Sequence, residues 1–560
     1  MLLWLVLTTW FPTGFASCPA NAAPFTKPSD IGDAEVVRYA NLFDIKYHET
    51  YKVIQYNPTL AKYQNSWQDP SMRGQKIRDI VLYQCGTTPP TSSFNDVPED
   101  ALFFSVPVEK VALGWGGTLH FWELLSVTES IQTIDMSYIT SPCTQLLEVC
   151  TPGIHEKIAS YGFLSEDWNN ATKEAEVIFS SSFGEGNTNS SSKDVVWDVS
   201  LDSGLMARAE WIRFAATFFN LEKEAGRIFS NIESDYMALK AEGSRIATEQ
   251  AKRPQVAWVS WSGAGCPDGT PECDGIAVGT WVPTAAGWCP CGSSYQFRNS
   301  HYLRDVVQDA GGRLLTMPAQ EATGCEFLTN TDGSQTYRCD AAVAKDHVLE
   351  LLGNADVIMD STSSPLGYLQ AYTLDDFISS YQVPADMQLK AMTGAKVFRE
   401  DGAINDAREG VQGSAQFEQM FAQPQEYVND MMMALWGDAF NGRCPMRYLR
   451  SLYAQFPRDE MEHSDCPLFD EGNNHDCAAI HDFLHEVQMC APQHSADKAE
   501  DYLPLALGLG LGIPLGLLLV AIVVFLVYRC KNPSSTSAPS ANNEVVVGKP
   551  VDPTSESAKV

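Results

Sequence analysis

Four cysteines and three tryptophans crowd into one glycine-rich run, residues 261–292 ("WSGAGCPDGTPECDGIAVGTWVPTAAGWCPCG"). Cys266, Cys273, Cys289 and Cys291 follow the spacing C-x6-C-x15-C-x-C. That spacing differs from those of structural zinc sites, and its C-x-C pair differs from the redox motif C-x-x-C. Cysteines of exported domains are usually oxidised. The run therefore predicts disulfides that staple an irregular insertion, with several pairings left open.

The remaining cysteines also favour an exported, disulfide-bonded domain. The chain has 15 cysteines, and Cys530 lies close to its C-terminal end. Cleavage of a signal peptide after Ala16 leaves an even number before Cys530, which suits complete pairing. Cys325 and Cys339 are predicted to close a local loop. Four more lie in an acidic segment further along the chain: Cys444, Cys466, Cys477 and Cys490.

Common catalytic motifs are missing from the sequence. It has no G-x-S-x-G elbow, no H-E-x-x-H pair and no complete phosphate-binding glycine loop. The stretch "HDFLHE" places His481 and His485 on one face of a helix, where a metal would need a third ligand. A solvated helix is the favoured interpretation, so neither an enzyme nor a metal site is predicted.

Trp115 stands where α/β proteins bind ligands. The apolar residues 110–113 predict a buried strand, "GWGG" predicts a tight turn, and Thr118 can cap the helix that follows. Trp115 therefore follows the carboxyl end of a strand and precedes the N-terminus of a helix. Ligands of open α/β sheets bind at that edge, so Trp115 is a candidate binding residue.

The two ends of the chain predict export and a membrane anchor. Residues 1–16 read as a signal peptide, whose apolar part is too short to span a bilayer. Residues 503–527 are uncharged and would span ~37 Å as a helix, enough for the hydrocarbon core. Arg529 and Lys531 follow directly, which places the tail in the cytosol. We expect a single-pass type I protein of the plasma membrane or an endosomal membrane.

The net charge of −32 argues against nucleic acid as a partner, because a nucleic-acid surface would repel it. Asn170 and Asn189 begin glycosylation sequons in polar stretches, as expected of an exported protein. Gly508, Gly512 and Gly516 repeat at the four-residue spacing that lets membrane helices pair closely, which predicts a homodimer contact.

Between the two ends, strand patterns alternate with helical ones, which predicts an α/β fold with mainly parallel sheets. A long helical run, residues 204–250, separates two such groups and can break at Asn220 or Gly226. We expect two α/β lobes joined by a helix, a stalk, one membrane helix and a tail. The predicted boundaries are 17–203 for the N-terminal lobe, 204–222 for the inter-lobe helix, 223–440 for the C-terminal lobe, 441–502 for the cysteine-rich stalk, 503–527 for the membrane helix and 528–560 for the tail.

Several blocks, in order along the chain, carry a resemblance to a known family. They are "KVALGWGGTLHFWELLSV", "RAEWIRFAATFFNLEKEAGRIFSNIESDYMALK", "FRNSHYLRDVVQDAGGRLL", "LLGNADVIMDST" and "AKVFRED". Together they resemble the strands and helices of class III solute-binding proteins, which are two α/β lobes joined by a long helix. The membrane-anchored, cysteine-rich version resembles the algal cobalamin acquisition proteins. The cysteines and the stalk depart from the bacterial pattern.

The resemblance implies that a ligand lies between the lobes and meets loops at the strand ends. On the first lobe the implied residues are Trp115, Tyr138 and Phe183. On the second lobe they are Trp261, Trp281, Trp288, Phe297 and Asp360. Flat aromatic faces suit a corrin ring or another planar chelate. An anionic ferric chelate would favour cationic neighbours, with Arg298, Arg304 and Arg399 as candidates.

The implied function is a cell-surface receptor that captures cobalamin (vitamin B12) for uptake. Cobalamin would be the transported ligand, and no cofactor is expected. The same fold also suits a receptor for a ferric siderophore or haem, and an adhesion or signalling ectodomain without a small ligand stays a third interpretation. Because one membrane helix forms no conduit for a large polar ligand, a separate transporter or an endocytic partner is expected.

Overall fold

The computed structural model describes most of the chain between residues 37 and 466. The described residues are 37–58, 77–92, 96–134, 136–150, 166–180, 192–263, 281–284, 287–329, 334–362, 372–405, 413–440, 446–453 and 459–466. These residues belong to one compact unit. The predicted signal peptide, membrane helix and tail lie outside them, and no helix among the described residues has the length and apolarity to cross a bilayer.

The first lobe opens with a four-stranded sheet. Its strands are β1 (Phe43–Tyr47), β2 (Tyr51–Tyr56), β3 (Ile80–Gln84) and β4 (Leu102–Val106), in the order β1-β2-β3-β4. The first three strands run antiparallel, and β4 is parallel to β3. Apolar residues alternate along β1 and β4, which leaves one face for the core and one for solvent.

The second sheet of this lobe is entirely parallel and holds Trp115 at its edge. Its elements are β5 (Val111–Leu113), α1 (Leu119–Leu124), β6 (Ile131–Ile134), α2 (Pro142–Cys150), α3 (Glu166–Ala171), β7 (Val177–Ser180) and β8 (Asp194–Val196). The strand order is β6-β5-β7-β8. Since all four strands are parallel, the loops after them gather along one edge.

The predicted long helical run forms three helices. They are α4 (Leu205–Ala209), α5 (Trp211–Thr217) and α6 (Glu222–Glu249). Asn220 has φ of +59°, a left-handed conformation that ends the run before α6. Gly226 lies inside α6 and does not interrupt it. The helical run therefore breaks at Asn220, one of the two interruptions that the sequence marks.

The second lobe is built on one large mixed sheet. Its strands are β9 (Gln255–Ser262), β12 (Ser294–Asn299), β13 (Arg313–Leu314), β14 (Cys325–Thr329), β15 (Gln335–Asp340), β16 (Val357–Asp360), β17 (Val397–Arg399) and β19 (Arg450–Ser451). Strands β10 (Trp281–Thr284) and β11 (Gly287–Pro290) pair separately. The helices are α7 (His301–Asp309), α8 (Lys345–Gly353), α9 (Leu374–Ser380) and α10 (Lys390–Thr393). Strands β9, β16 and β17 run parallel, so their carboxyl ends share an edge.

After β17 the chain returns towards the first lobe. The returning elements are β18 (Ala403–Asn405), α11 (Ala415–Gln419), α12 (Pro424–Trp436) and β20 (Asp459–Met461). Strand β19 pairs with β17, and β20 pairs with β18. The sequence assigns residues 446–453 and 459–466 to the stalk. They are instead part of the folded unit, because their strands β19 and β20 pair with β17 and β18.

One apolar core runs through the first lobe and the helices beside the second sheet. Trp122, Trp211 and Trp258 are buried in it, as their helical and strand patterns indicate. Trp436 Nε1 donates to the carbonyl of Ala310, 2.8 Å away, which binds α12 to the end of α7. A separate core lies on the other face of β9, under α8 and α9. The first core thus holds the two lobes together.

Candidate inter-lobe site

Trp115 is fixed by the turn that follows it. The 3-10 turn Gly116–Thr118 begins directly after it, and Thr118 Oγ1 donates to the carbonyl of Trp115 at 2.8 Å. A side chain at Gly117 would place its Cβ 2.6 Å from the indole ring, so only glycine lets the ring lie flat over this turn. The ring is half-buried, as expected of a binding residue at a strand end.

Tyr138 occupies the equivalent position after β6, in the 3-10 turn Met136–Tyr138. Its side chain is 36% exposed. Its carbonyl lies against the returning chain: a Cβ on Gly413 would come within 2.0 Å of that oxygen. The close approach requires glycine at residue 413 and sets the distance between the Tyr138 turn and the chain that leads into α11.

The returning chain brings a new aromatic group to Trp115. The ring of Phe421 lies 5.5 Å from the ring of Trp115, centroid to centroid. The guanidinium of Arg208 lies 5.3 Å from the Phe421 ring and 4.3 Å from the ring of Tyr302, at the start of α7. Arg208, on α4, therefore bridges an aromatic ring of the returning chain and one of the second lobe.

Arg208 is held in place by the backbone. Its Nε donates to the carbonyl of Asp202 at 2.9 Å, and its Nη2 donates to the carbonyl of Ser200 at 2.6 Å. The side chain is 6% exposed. Its charge is thus stabilised by neutral carbonyls and by aromatic faces, and it also interacts with the nearby carboxylate of Asp202.

The second lobe contributes charge of both signs around Tyr302. Burial raises the pKa of Tyr302, the nearby positive charges of Arg298 and Arg208 lower it, and the charge of Glu400 raises it. Glu400 accepts hydrogen bonds from Tyr427 Oη at 2.5 Å and from Ser361 Oγ. Two guanidinium groups and the carboxylate of Glu400 thus act electrostatically on the hydroxyl of Tyr302.

We call this group of five residues the inter-lobe cluster: Trp115, Arg208, Arg298, Tyr302 and Phe421. Trp115, Arg298 and Tyr302 are each partly exposed, and the other two are buried. Aromatic faces with adjacent guanidinium groups can stack on a flat ligand and attract its anionic groups. The described residues contain no group of three side chains suited to hold a metal ion directly.

Asp360 and Arg399, candidates on the second lobe, lie instead in a buried ion network. Asp360 Oδ2 lies 3.2 Å from Arg399 Nη1, and Arg399 Nε lies 3.1 Å from Asp401 Oδ2. Arg450 closes the network by donating to both oxygens of Asp401 at 2.9 and 2.8 Å. Asp360 also accepts a hydrogen bond from Tyr381 Oη at 3.0 Å. The charges of Asp360 and Arg399 are thus paired with other groups inside the protein.

Two aromatic candidates of the second lobe and one cationic candidate have other surroundings than the buried ion network. Phe297 is 1% exposed and packs in the second core against Tyr337, so its ring has no surface for a ligand. Trp261, at the end of β9, is half-buried on that same face, and its backbone N–H donates to Thr362 Oγ1 at 2.9 Å. Arg304 donates to Asn299 Oδ1 at 3.1 Å.

Some candidates lie outside the described residues. Phe183, Asn189, Cys266, Cys273, Cys444, Cys477, Cys490, His481 and His485 are among them. For Trp281, Trp288 and Cys289 the structure describes the backbone strands β10 and β11 but not the side chains. The expectation that the cysteine-rich insertion borders the cleft stays a prediction. Asn170 is exposed at the end of α3, a position open to a glycan.

Two disulfides join described cysteines. Cys325 and Cys339 pair across β14 and β15, which confirms the predicted local bridge. Cys466 bonds to Cys143 of α2, a partner that the sequence does not indicate. Cys291 is also disulfide-bonded. The Cys466 bridge ties the supposed start of the stalk to the first lobe.

A buried polar seam joins the first lobe to α11 and α12. His120 Nδ1 lies 2.8 Å from Glu123 Oε2, and its Nε2 lies 2.8 Å from Gln423 Oε1. Further along, Glu418 accepts hydrogen bonds from the backbone N–H and the hydroxyl of Thr140 at 2.5 and 2.9 Å. Burial, reinforced by the charge of Glu123, raises the pKa of Glu418 to about 8.

Sequence reasoning missed Arg208, Tyr302 and Phe421. Arg208 lies in a helical run whose apolar spacing predicts only core packing, and Tyr302 begins an amphipathic helix. A useful signal was present in "MARAEW", because a charged residue within an otherwise buried helix face needs a partner. No comparable signal marks Phe421, because it reaches Trp115 only through the segment that leaves the second sheet and returns to the first lobe.

Comparison with known proteins gives likenesses in structure only. No protein-family model and no curated protein matches the chain. The periplasmic haem-binding protein RhuT from Roseiflexus sp. RS-1 is 12% identical with a TM-score of 0.36, and the match covers 60% of this chain and 99% of that chain. The ABC-type Fe3+-hydroxamate transport system from Saccharomonospora viridis is 12% identical with a TM-score of 0.36, and the match covers 60% of this chain and 95% of that chain. The petrobactin-binding protein YclQ from Bacillus subtilis is 11% identical with a TM-score of 0.35, and the match covers 58% of this chain and 92% of that chain.

With identities of 11–12% and TM-scores of 0.35–0.36, these likenesses assign no family, and the resemblance to class III solute-binding proteins stays a prediction. The algal cobalamin branch stays a prediction. The ligand proposals below rest on the side chains of this chain.

Proposed function

We propose that the protein is a solute-binding receptor that captures a small organic metal chelate between its two lobes. The observation that carries this proposal is the inter-lobe cluster, in which Trp115 lies against Phe421, and the guanidinium of Arg208 links Phe421 to Tyr302. The first lobe, the returning chain and the second lobe each contribute to it. A ligand there would contact both lobes at once.

The partial exposure of the cluster favours a binding site over a sealed interface. Trp115, Arg298 and Tyr302 keep part of their surface open, whereas the core tryptophans Trp122 and Trp211 are fully buried. Binding sites for small molecules are mainly apolar and aromatic, with a few polar groups that set orientation. The composition of the cluster matches that description.

Cobalamin is the first proposed ligand. The corrin ring offers an extended face that can stack against Trp115 and Tyr302, which bury much apolar area at small entropic cost. The resemblance of the chain to algal cobalamin acquisition proteins supports this choice. Capture at the cell surface would then precede transfer to a separate transporter or an endocytic partner.

An anionic iron chelate is the second candidate, and Arg208 and Arg298 favour it. Burial and the charge of Glu400 raise the pKa of Tyr302, and the positive charges of both guanidinium groups oppose that rise. Guanidinium groups bind carboxylates in a two-point geometry, which suits haem propionates or an acidic siderophore. This proposal changes the ligand and keeps the site.

Isothermal titration of the full-length chain in detergent tests both ligands. We expect saturable binding of cyanocobalamin, or of hemin or ferrichrome, and a loss of that binding in Trp115→Ala. Phe103→Ala is the matched control, because Phe103 is a 38% exposed aromatic residue on β4, outside the cluster. Absence of binding by all three compounds to the folded protein would overturn the proposal and favour an adhesion or signalling ectodomain.

A further inference from the structure

The chain crosses from the second lobe back to the first in residues 459–466, which we call the strap. Strand β19 lies on β17 of the large sheet, and β20, at the start of the strap, lies beside β18. The strap then ends at Cys466, which is bonded to Cys143 of α2 with the two Cα atoms 4.8 Å apart. The bond joins residues 323 positions apart in sequence.

The strap is attached close to the Tyr138 turn. Tyr138 ends a 3-10 turn, and α2 begins at Pro142, one residue before Cys143. Gln145, which is 1% exposed, donates from Nε2 to the carbonyl of Ile139 and to the carbonyl of Met461, each at 3.1 Å. One side-chain amide thus joins the residue after Tyr138 to the strap.

The strap carries four carboxylates. Asp459 and Glu460 are exposed, and Glu462 and Asp465 add two more within the same eight residues. Burial raises the pKa of Asp459, the negative charge of Asp465 raises it further, and the charge of Arg447 lowers it. The disulfide holds this acidic segment covalently on the first lobe.

The opposite side of the Tyr138 turn is also in contact with the returning chain. Gly413 lies against the Tyr138 carbonyl, and Glu418 accepts hydrogen bonds from Thr140. The turn is therefore held between the segment before α11 and the strap after β20. The orientation of Tyr138 at the edge of the cleft depends on both.

We propose that Cys143, Cys466 and Gln145 are positioning residues for the inter-lobe site, which hold the Tyr138 turn through the strap. The expected effect on ligand binding rests on the proposed function. The expected effect on the Tyr138 turn rests on the geometry alone. No change of oxidation state is part of it. The disulfide acts as a permanent constraint on the turn.

Hydrogen–deuterium exchange of the full-length chain in detergent, without ligand, tests the constraint. In the double variant Cys143→Ser, Cys466→Ser we expect exchange in residues 136–150 to rise by about ten-fold, because the disulfide to the strap no longer restrains local opening of these residues. Cys325→Ser, Cys339→Ser is the matched control, since it removes the other described bridge, in the β14–β15 hairpin. We expect that variant to leave residues 136–150 unchanged.

Gln145→Leu keeps the disulfide and removes only the amide bridge, so it serves if the double variant fails to fold. We expect a smaller rise, about three-fold, confined to the same residues. Unchanged exchange in residues 136–150 of Gln145→Leu and of a folded double variant would overturn the inference.

Ligand kinetics then separate positioning from stability. With cyanocobalamin or hemin as the probe, we expect Gln145→Leu to release the bound probe about three- to ten-fold faster at an unchanged melting temperature. Faster exchange with unaltered release would restrict the strap to a structural role and overturn the positioning of the site. If neither probe binds the unaltered chain, the proposed function fails while the exchange test still stands.

Discussion

The carboxyl ends of the parallel strands in the two lobes look alike in sequence and differ in structure. On the first lobe the edge carries Trp115 and Tyr138, both with exposed surface. On the second lobe the edge carries Asp360 and, at the end of β17, Arg399, both at most 2% exposed and bonded to each other. An uncharged aromatic ring can remain open at a strand end, whereas opposite charges at neighbouring strand ends neutralise each other.

The largest expected effect concerns the second edge. Arg399→Ala leaves Asp360 buried without its counter-ion and Asp401 paired with Arg450 alone, so we expect the free energy of unfolding to fall by about 3–5 kcal/mol. Denaturant melts measure it. Arg227→Ala is the control, because Arg227 forms an exposed pair with Glu224 and should change stability by less than about 1 kcal/mol. Retained stability with lost ligand binding would instead make this edge a binding site.

The first edge should respond in the opposite way. Trp115→Ala should weaken ligand binding by about 1–3 kcal/mol, a range typical of lost stacking on an aromatic ring. Titration calorimetry with the ligand that binds the unaltered chain measures the change, and circular dichroism confirms the fold. If Phe103→Ala weakens binding as much, the effect does not belong to the cleft edge.

Glu418, in the buried polar seam that joins the first lobe to α11, predicts that the stability of the folded protein depends on pH. The pKa of Glu418 is about 8 in the folded protein, chiefly because of burial, and lies above the usual value of 4.5. Between these values the folded state keeps a proton that the unfolded state loses. Stability should therefore fall as pH rises towards 8, by up to about 1.4 kcal/mol per pH unit for one proton.

Melting curves between pH 5 and pH 8 test this, with Glu418→Gln as the variant, since glutamine cannot ionise. We expect the variant to lose most of the pH dependence in that window. An equal slope in both proteins would mean that Glu418 is ionised throughout and that other groups set the dependence.

The smallest expected effect separates the two candidate ligands. Arg298→Gln removes a partly exposed positive charge near Tyr302, so binding of hemin should weaken by about 0.2–1 kcal/mol. Binding of cyanocobalamin should not change. Titration with both compounds gives the comparison, and an equal loss for both would indicate that Arg298 acts through packing rather than charge.

Local pattern predicted much of the fold. The apolar "YKVIQY" run is β2, Trp115 follows β5 as expected, and the helical run breaks at Asn220, two residues before α6. These features depend on nearest neighbours in sequence, which is why periodicity and turn residues reveal them. The α/β fold class follows from the same alternation.

The candidate site was predicted only in part, because its other half arrives from far along the chain. Phe421 meets Trp115 only after the chain has built the whole second sheet and returned. The partner of Cys466 was equally hidden, since disulfide connectivity does not follow from spacing. The burial of Asp360 depends on Arg399 from a neighbouring strand, a contact that no local pattern contains.

Ligand-induced protection from hydrogen exchange tests the central claim most directly. The full-length chain in detergent is compared with and without saturating cyanocobalamin, hemin or ferrichrome. A ligand in the inter-lobe cluster should protect residues 114–118 and 298–302 together, because Trp115 and Tyr302 lie on opposite lobes of one site. Protection confined to one of these segments, or found only elsewhere in the described chain, would contradict a site between the lobes.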